Sequence, residues 1–216
     1  MAGAVPLDRR QLRRRETIEQ VLDVAAEVMA EQGVAGLTLG EVARRMGMRP
    51  PSLYVYFDGK NALYDALFER GWREVLALMR RVDRAGTDND LVGHLLAREI
   101  IFVRWAVEHP GYAQLMFWRP VPGFTPSARA YQPAVELTEL SMDFLSTLRD
   151  GDVLPPDADL ALAYRTLTVV IGGVISQQLS NAPGESFETG TFTSTLPAVV
   201  AMWLAHHGTP GKQLPD

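Results

Sequence analysis

The stretch that decides the fold is residues 37–63, which read LTLGEVARRMGMRPPSLYVYFDGKNAL. Its first half carries apolar residues at the three- and four-residue spacing of one helix face: Leu39, Val42, Ala43 and Met46. Thr38 precedes this helix, where its hydroxyl can accept a backbone N–H. Gly47 follows it, where helices commonly end in a left-handed conformation. The pattern therefore predicts a short helix with a defined start and stop.

A second short helix is predicted after Gly47. Pro50 and Pro51 suit its first turn, because proline fixes φ near the helical value and lacks only an N–H that would be unpaired there. Leu53 and Phe57 are four positions apart and can pack on the first helix. Two short helices joined by a glycine-led turn form the outline of a helix-turn-helix, whose second helix lies in the major groove of DNA.

This segment resembles the DNA-binding region of the tetracycline-repressor (TetR) family. The resemblance covers about the first third of the chain and rests on matching residue types at matching spacing: Thr38, Val42-Ala43, Gly47, Leu53-Tyr54, Phe57, Lys60 and Leu63. The alternative is an ordinary helical hairpin in a core. A buried hairpin has no use for the basic residues around this turn, so we favour DNA binding: Arg44, Arg45, Arg49 and Lys60.

The resemblance implies roles for individual residues. Two match family positions that contact phosphates: Tyr54 and Lys60. Four match positions facing base edges, where a thymine methyl and hydroxyl hydrogen bonds are the available readouts, although Tyr56 could equally serve packing: Pro51, Ser52, Val55 and Tyr56. Thr38 matches a position that combines capping with a phosphate contact, and capping alone is an equal alternative. Arg49 departs from the family's common serine; it supplies no capping oxygen but can reach a guanine or a phosphate.

Length and composition describe a globular chain. Its 216 residues can form one large or two small domains with an ample core, and a composition of 47% hydrophobic and 22% charged residues excludes a disordered chain. The lack of cysteine excludes disulfides and thiolate metal sites and fits a reducing cytoplasm. No run approaches the roughly 18–20 apolar residues of a membrane span, and the arginine-rich start lacks the apolar core of a secretion signal. We therefore expect a cytoplasmic protein with no membrane contact.

The net charge of −5 conceals a local excess of arginine. Residues 1–60 hold nine Lys/Arg and eight Asp/Glu, whereas the remaining residues hold twelve and eighteen. Five arginines precede the predicted first helix: Arg9, Arg10, Arg13, Arg14 and Arg15. A phosphate backbone senses such clustering, because screening limits exposed charges to about 10 Å. A solvated tail is the alternative, but before this motif we expect a basic arm that contacts a groove or phosphates.

Helical periodicity continues along the chain, with no alternating strand pattern, and predicts an all-α fold. A first helix over 16–32, closed by Gly33, completes a three-helix DNA-binding head with the helix-turn-helix. Later helices are predicted over 60–82, 91–107, 134–148, 158–179 and from 192 or 196 to 206. We expect a DNA-binding domain at 1–60 and a helical regulatory, ligand-binding and dimerisation domain at 61–216.

The penultimate helix, within 158–180, is apolar on nearly all sides, so we expect a partner surface to bury it. In the TetR family the last two long helices of each subunit form a four-helix dimer interface. The resemblance therefore implies a homodimer through about 158–180 and 192–206. Gly172 and Gly173 lie mid-helix, where each glycine costs about 0.5–1 kcal/mol relative to alanine. Close helix approach would explain them, and so would a kink beside a pocket.

Aromatic, histidine and methionine residues concentrate between 102 and 131. They are Phe102, Trp105, His109, Tyr112, Met116, Phe117, Trp118, Phe124 and Tyr131. Core packing is the favoured account of any single member. The group, interrupted by a proline-rich loop, favours a small-molecule site, because such sites are mostly apolar with a few polar groups. We expect an apolar or aromatic ligand. The segment AVEHPGYAQLMF (106–117) also resembles the C-terminal domain of a subset of these regulators.

The sequence contains no G-x-S-x-G, P-loop, dinucleotide or H-E-x-x-H motif, and we expect no catalytic residue, cofactor or metal site. We therefore predict a ligand-responsive homodimeric transcription regulator, a repressor, that binds a palindromic double-stranded DNA operator. One alternative is a DNA-binding regulator without a small-molecule effector. The other is an all-α enzyme that uses His109.

Overall fold

The computed structural model describes residues 8–86, 90–212 and 214, and these residues form two compact units. Unit 1 comprises Met1–Gly71 and Gly111–Ala130, and unit 2 comprises Trp72–Pro110 and Tyr131–Asp216, within the described ranges. Two long helices contribute to both units, so the division between units falls inside helices and not in linkers.

The described part of the chain is helical and holds no β-strand, so the prediction of an all-α fold is confirmed. In chain order the helices are α1 (Arg9–Gly36), α2 (Leu39–Arg45), α3 (Pro50–Leu53), α4 (Lys60–Ala85), α5 (Leu91–Glu108), α6 (Pro110–Ala113), α7 (Ala128–Asp150), α8 (Leu160–Asn181) and α9 (Leu196–His207). A π-helical segment (Gln114–Trp118) follows α6, and a 3₁₀ turn (Thr193–Thr195) precedes α9.

The arginine cluster lies inside α1, which corrects the prediction that it precedes the first helix. The helix begins at Arg9, seven positions before the predicted start, because arginine is a good helix former and the run RRQLRRRE contains no breaker. Gly33 interrupts α1 as predicted, with φ of 73°, and one further turn follows it. The apolar side of the helix is buried in unit 1: Val21, Leu22, Ala25, Val28 and Met29.

The helix-turn-helix forms as its local signals predict. The Thr38 hydroxyl accepts the backbone N–H of Glu41 at 3.1 Å, which caps α2. Gly47 has φ of 65°, the left-handed conformation that favours glycine. Pro50 and Pro51 form the first turn of α3. Helix α2 packs against both α1 and α3. The Thr38 cap, the Gly47 turn and the two prolines therefore define the ends of two short helices that pack into one DNA-binding head.

Helix α7 begins at Ala128, which corrects the predicted start at Ala134. Ser127 supplies the start signal, because its hydroxyl accepts the N–H of Ala130 at 3.1 Å and its own N–H donates to Asp65 at 2.7 Å. Pro133 then lies within the helix, where it removes one backbone hydrogen bond and crowds the preceding turn. The predicted loop is shorter for this reason.

In unit 2, α8 packs against both α5 and α9. Asp159 caps α8 by accepting the N–H of Leu162 at 2.9 Å, and the helix continues through Gly172 and Gly173 without a non-helical residue. Apart from its chain neighbours and the nearby backbone of α8, a Cβ added at either glycine would meet no atom of the described residues within 4 Å. Close approach within this chain and a kink therefore do not explain the two glycines.

Candidate functional site

The end of α3 and the turn after it present the predicted base-reading side chains to solvent. Val55 is 70% exposed and Tyr54 is 59% exposed, while Pro51 and Ser52 are also exposed. The two large apolar side chains on the other side of this segment are buried, with Leu53 at 0% exposure and Phe57 at 5%. Because the apolar side of this segment packs inward, the opposite side is fixed outward as a rigid surface.

Tyr56 is only partly buried, and it lies against the arginine-rich end of α1. The Arg14 guanidinium carbon lies 5.7 Å from the Tyr56 ring centroid, and Arg14 Nη2 donates to the Val55 carbonyl at 3.3 Å. A groove of about 680 Å³ opens here. Its lining holds four arginines and one acid: Asp8, Arg9, Arg10, Arg13, Arg14, Thr17, Val55 and Tyr56. The groove therefore has a positive electrostatic potential beside the exposed end of α3 and the turn after it, residues 51–56, which we name the recognition segment.

Lys60 opens α4 with its ammonium held at the end of α1. Its Nζ donates to the Ala35 carbonyl at 3.4 Å and lies 5.2 Å from the Tyr64 ring centroid. The Tyr64 hydroxyl in turn donates to the Val34 carbonyl at 2.7 Å. These contacts restrict where the ammonium can go without neutralising it, and a positioned cation at a helix start is suited to a phosphate.

The two arginines at the end of α2 divide into a structural and an exposed one. Arg45 Nη2 binds Glu31 at 2.5 Å and its Nε binds Glu41 at 2.9 Å, so this guanidinium links α2 to α1. Arg44 also binds Glu41, at 2.7 Å, but its side chain remains 71% exposed. The two guanidiniums lower the pKa of Glu41 to about 2. Arg49 is exposed and makes no capping hydrogen bond, as expected for its position.

Unit 2 holds a cavity of about 110 Å³ between α4, α5, α7 and α8, which is the candidate effector cavity. Most of its lining is apolar or aromatic. The lining residues are Trp72, Met79, Leu95, Arg98, Glu99, Phe102, Leu137, Ser141, Phe144, Leu145, Tyr164, Leu167, Thr168 and Ile171. An apolar enclosure with a few convergent polar groups has the construction of a small-molecule site.

Arg98 is the buried cation of this cavity. Its guanidinium binds Asp83, donates to the Ser141 hydroxyl at 3.3 Å and lies 4.5 Å from the Phe144 ring centroid. His94 Nε2 lies 3.2 Å from the same Asp83 carboxylate. These contacts satisfy Arg98 within the protein, as a buried charge requires.

Glu99 is the acid of the cavity, partly buried on α5 next to Arg98. Burial raises the pKa of its carboxyl to about 7, and the nearby Arg98 charge opposes that shift only in part. Strongly perturbed titratable groups in clefts are candidate functional residues. The sequence signal for this site was the adjacent charged pair Arg98-Glu99, which stands between the apolar runs of α5.

The predicted ligand residues are divided between the two units. Phe102 lines the effector cavity, and Trp105 and His109 stack on each other in the same unit, with ring centroids 5.0 Å apart. His109 Nδ1 also lies 2.8 Å from the Trp105 carbonyl. Four others belong to unit 1, where two are buried, one is partly buried and Trp118 is 42% exposed: Tyr112, Met116, Phe117 and Trp118. Tyr131, on α7, is 40% exposed.

A close approach of backbone explains one glycine of that segment. A Cβ at Gly111 would lie 2.8 Å from the Met29 Cβ and 3.3 Å from the Ala30 nitrogen, so only glycine allows α6 to approach α1 this closely. Tyr112 and Met116 are buried in the same unit, beside Gly71. These two residues therefore act in the core of unit 1.

The last two long helices leave an apolar surface open. Val169 and Met202 are each 72% exposed, and a groove of about 450 Å³ runs between α8 and α9. By length and composition α8 could even cross a membrane, with a mean hydropathy of 1.4 over 18 residues of which 28% are buried. The expectation that no run approaches a membrane span is therefore wrong for α8 by that measure. One such helix is weak support for a membrane protein, and a helix covered by a partner has the same composition.

In the described ranges, no group of three or more His, Asp or Glu side chains could hold a metal ion. The His207 side chain contacts a hydroxyl, because its Nε2 lies 2.7 Å from the Thr166 hydroxyl. Partial burial and the neighbouring His206 lower the pKa of His207.

An exposed recognition segment on a helix-turn-helix, beside a basic groove, defines a DNA-binding protein, and the apolar cavity adds a candidate ligand site. Comparison with known families gives the same class. Residues 21–67 match the model of the N-terminal domain of bacterial regulatory proteins of the tetR family, and residues 95–209 match that of a tetracyclin repressor-like C-terminal domain. The chain belongs to the TetR family of transcription regulators.

Individual relatives agree with this assignment. The tetracycline repressor protein class C of Escherichia coli is 28% identical over 200 residues, covering 89% of this chain and 82% of the relative. Two solved structures share the fold. SmeT, the repressor of the Stenotrophomonas maltophilia multidrug efflux pump SmeDEF, has a TM-score of 0.68 at 22% identity, over 94% of this chain and 99% of SmeT. The fatty acid degradation regulator FadR from Bacillus halodurans has a TM-score of 0.69 at 15% identity, over 90% and 99%.

Proposed function

We propose that this protein is a cytoplasmic homodimeric repressor that binds a palindromic DNA operator and is released from it by a small molecule. Residues 1–60 form the DNA-binding domain, and residues 61–216 form the regulatory and dimerisation domain. The observation that carries the proposal is the outward-facing Tyr54 and Val55 beside the arginine groove of unit 1. A rigid exposed segment gives base readout, and a positive groove gives phosphate contact.

At the DNA, Tyr54 and Lys60 contact phosphates, while Pro51, Ser52, Val55 and Tyr56 face base edges. The position of Lys60 supports its role, because its ammonium is held near the end of α1 and keeps its charge. Thr38 already accepts the N–H of Glu41, so its operator role is to hold α2 in place. Arg49 is exposed at the head of α3 and can reach a guanine or a phosphate.

Dimerisation occurs through α8 and α9. The exposed Val169 and Met202 support this, because a monomer seldom leaves so much apolar surface in water. A second copy would also explain Gly172 and Gly173, since no other element in the described part of the chain lies within 4 Å of a Cβ added there. In the dimer two α3 helices enter successive major grooves about 34–36 Å apart.

The effector binds in the cavity of unit 2 and acts through α4. This helix supplies Lys60 near the DNA and Trp72 and Met79 to the cavity lining, so it is the element that a ligand can displace. The ligand must favour one arrangement of the dimer over the other, because only differential affinity shifts an equilibrium. Displacement of α4 then changes the separation of the two α3 helices and lowers DNA affinity.

The proposal is tested by footprinting the promoter region adjoining the gene with purified protein at low ionic strength. A protected inverted repeat is expected, because both recognition segments engage one duplex. No protection at any protein concentration would overturn the proposal. A thermal-shift screen of metabolites separates an effector-gated repressor, which is stabilised by its ligand, from a regulator that has no effector.

A further inference from the structure

The effector cavity contains one acid, Glu99, whose carboxylate has no hydrogen-bond or ion-pair partner among the described residues. A carboxylate against apolar side chains is unfavourable unless a partner arrives, because burial disfavours the charged form. The pKa of Glu99 is raised to about 7 by the same burial without a partner. A ligand that brings a positive charge would remove it.

Arg98, the other ionic group of the lining, is not available for a ligand. Its guanidinium is occupied by Asp83 and Ser141, and one of its faces lies over the Phe144 ring. Asp83 is shared with His94, so this acid is also engaged. The remaining charge that faces the cavity is therefore negative. An anionic ligand would meet no unoccupied cation here and would be repelled by Glu99.

The aromatic part of the lining also favours a cation. Trp72, Phe102 and Tyr164 contribute ring surface from α4, α5 and α8, and a cation near such faces is attracted by the ring quadrupole. The Tyr164 hydroxyl lies 3.2 Å from the Thr138 hydroxyl, which fixes its ring. Thr168 lies on the lining and is exposed, so the cavity reaches solvent at α8.

The size of the cavity limits the ligand. Its volume is about 110 Å³. An engineered apolar protein cavity of about 150 Å³ binds benzene, so the present, smaller cavity holds at most one ring or a short alkyl group.

We propose that the effector is a small aromatic or lipophilic amine whose ammonium pairs with the Glu99 carboxylate while its apolar part packs on Trp72 and Phe102. This inference rests on the proposed function, because it names the class of molecule that the regulator's cavity selects.

The test compares three probes of one size and different charge on the full chain. Benzylamine, benzyl alcohol and benzoate are titrated separately by isothermal calorimetry at neutral pH. Benzylamine is expected to bind at least about tenfold more tightly than benzyl alcohol, and benzoate is expected to bind least, since charge complementarity decides among probes of equal bulk. Benzyl alcohol or benzoate binding as tightly as benzylamine would overturn the inference, and so would the absence of benzylamine binding.

A matched pair of variants assigns the effect to Glu99. Glu99→Gln removes the charge with little change in shape, and it is expected to weaken benzylamine at least about tenfold while benzyl alcohol is unaffected. Glu139→Gln, an exposed position on α7, makes the same chemical change and should leave benzylamine binding as in the wild type. Equal losses for the two variants, or none for Glu99→Gln, contradict the pairing. If Glu99→Gln does not fold, the ranking of the three probes on the wild type decides.

Operator release is measured separately, by fluorescence anisotropy of labelled promoter DNA. Release by benzylamine supports both the ligand class and the proposed function. Benzylamine binding without release supports the ligand class and contradicts the gating. A third outcome is that the protein binds operator DNA and is released by some other molecule, while benzylamine does not bind. This outcome contradicts the ligand class and leaves the proposed function intact.

Discussion

Glu41 and Arg45 face each other across one turn of α2, with the carboxylate Oε1 2.9 Å from the guanidinium Nε. The same guanidinium reaches back to Glu31 on α1, where Nη2 lies 2.5 Å from Oε2. Both the Arg45 and Glu41 side chains are 19% exposed, so this ion pair is largely shielded from solvent. Arg45 therefore links the helix-turn-helix to its supporting helix α1.

The first prediction concerns the pH dependence of this pair. Glu41→Gln is expected to lower the Tm at neutral pH, because Arg44 and Arg45 hold the pKa of the Glu41 carboxyl near 2, below its ordinary value of 4.5. A depressed carboxyl pKa contributes stability that is complete above pH 4.5 and is lost as the pH falls through about 2. The difference in Tm between wild type and variant should thus be constant down to about pH 5 and shrink below it.

Thermal melts followed by circular dichroism measure this difference, with Glu139→Gln as the control for a carboxyl on an exposed helix surface. The control should match the wild type at every pH. If Glu41→Gln has the same Tm as the wild type at neutral pH, the ion pair makes no net contribution to stability.

The second prediction concerns phosphate contact. The double variant Tyr54→Phe with Lys60→Ala should weaken binding to all duplex sequences, because it removes a hydroxyl donor and a cation that carry no base information. The slope of log K against log salt should become shallower by about 0.9 for each phosphate that the variant no longer neutralises. Fluorescence anisotropy over a series of salt concentrations measures the slope.

Arg84→Ala provides the control for the removal of a cation, because Arg84 is exposed at the far end of α4. Its salt slope should equal that of the wild type. A melt of the double variant is also required, since Lys60 contacts the Ala35 carbonyl and the Tyr64 ring. If the folded double variant keeps the wild-type slope, Tyr54 and Lys60 do not contact phosphates.

The helix-turn-helix could be predicted from the sequence because its determinants are local. The Thr38 cap bonds a residue three positions on, and Gly47 and the Pro50-Pro51 pair impose backbone angles by themselves. Packing then needs only residues within the same stretch, so pattern and structure agree. The family resemblance depends on the same short-range features, which is why it could be stated without a structure.

The effector cavity could not be predicted in this way, because four helices distant in sequence supply it. Aromatic content indicated residues 102–131, and the structure assigns those residues to two different units. Likewise, Arg45 resembles a DNA-binding arginine until its partner Glu31, fourteen positions away, is known. The predicted start of α1 was wrong for a different reason, because a charged run with good helix propensity was interpreted as an arm outside the helix.

The third prediction concerns the subunit interface. Met202→Glu is expected to weaken the dimer strongly, because Met202 is 72% exposed on α9 and would bring a charge into an apolar surface buried by the second copy. Size-exclusion chromatography with light scattering at several protein concentrations measures the mass. Val135→Glu, on α7, is the control, since its valine is 39% exposed and lies outside α8 and α9. A Met202→Glu protein that stays dimeric at all concentrations would place the interface elsewhere.

The fourth prediction concerns Glu99 and the stability of the ligand-free protein. Burial raises the pKa of this carboxyl from 4.5 to about 7, so between these values the folded chain binds a proton that the unfolded chain does not. Stability contributed by the protonated carboxyl is complete below pH 4.5 and is lost as the pH rises through about 7. Arg98, whose charge opposes this shift in part, is present in both the wild type and the variant.

Glu99→Gln removes this titration, so the variant should equal the wild type near pH 4.5 and become more stable as the pH rises to 8. The gain at pH 8 is expected to be about 1–3 kcal/mol, the range allowed by the shift after screening by solvent at a partly buried side chain. Urea unfolding at a series of pH values measures it, and Glu139→Gln should show no such divergence. A variant less stable than the wild type at pH 8 would mean that an internal partner already neutralises Glu99, and the cavity would then have no charge to offer an amine.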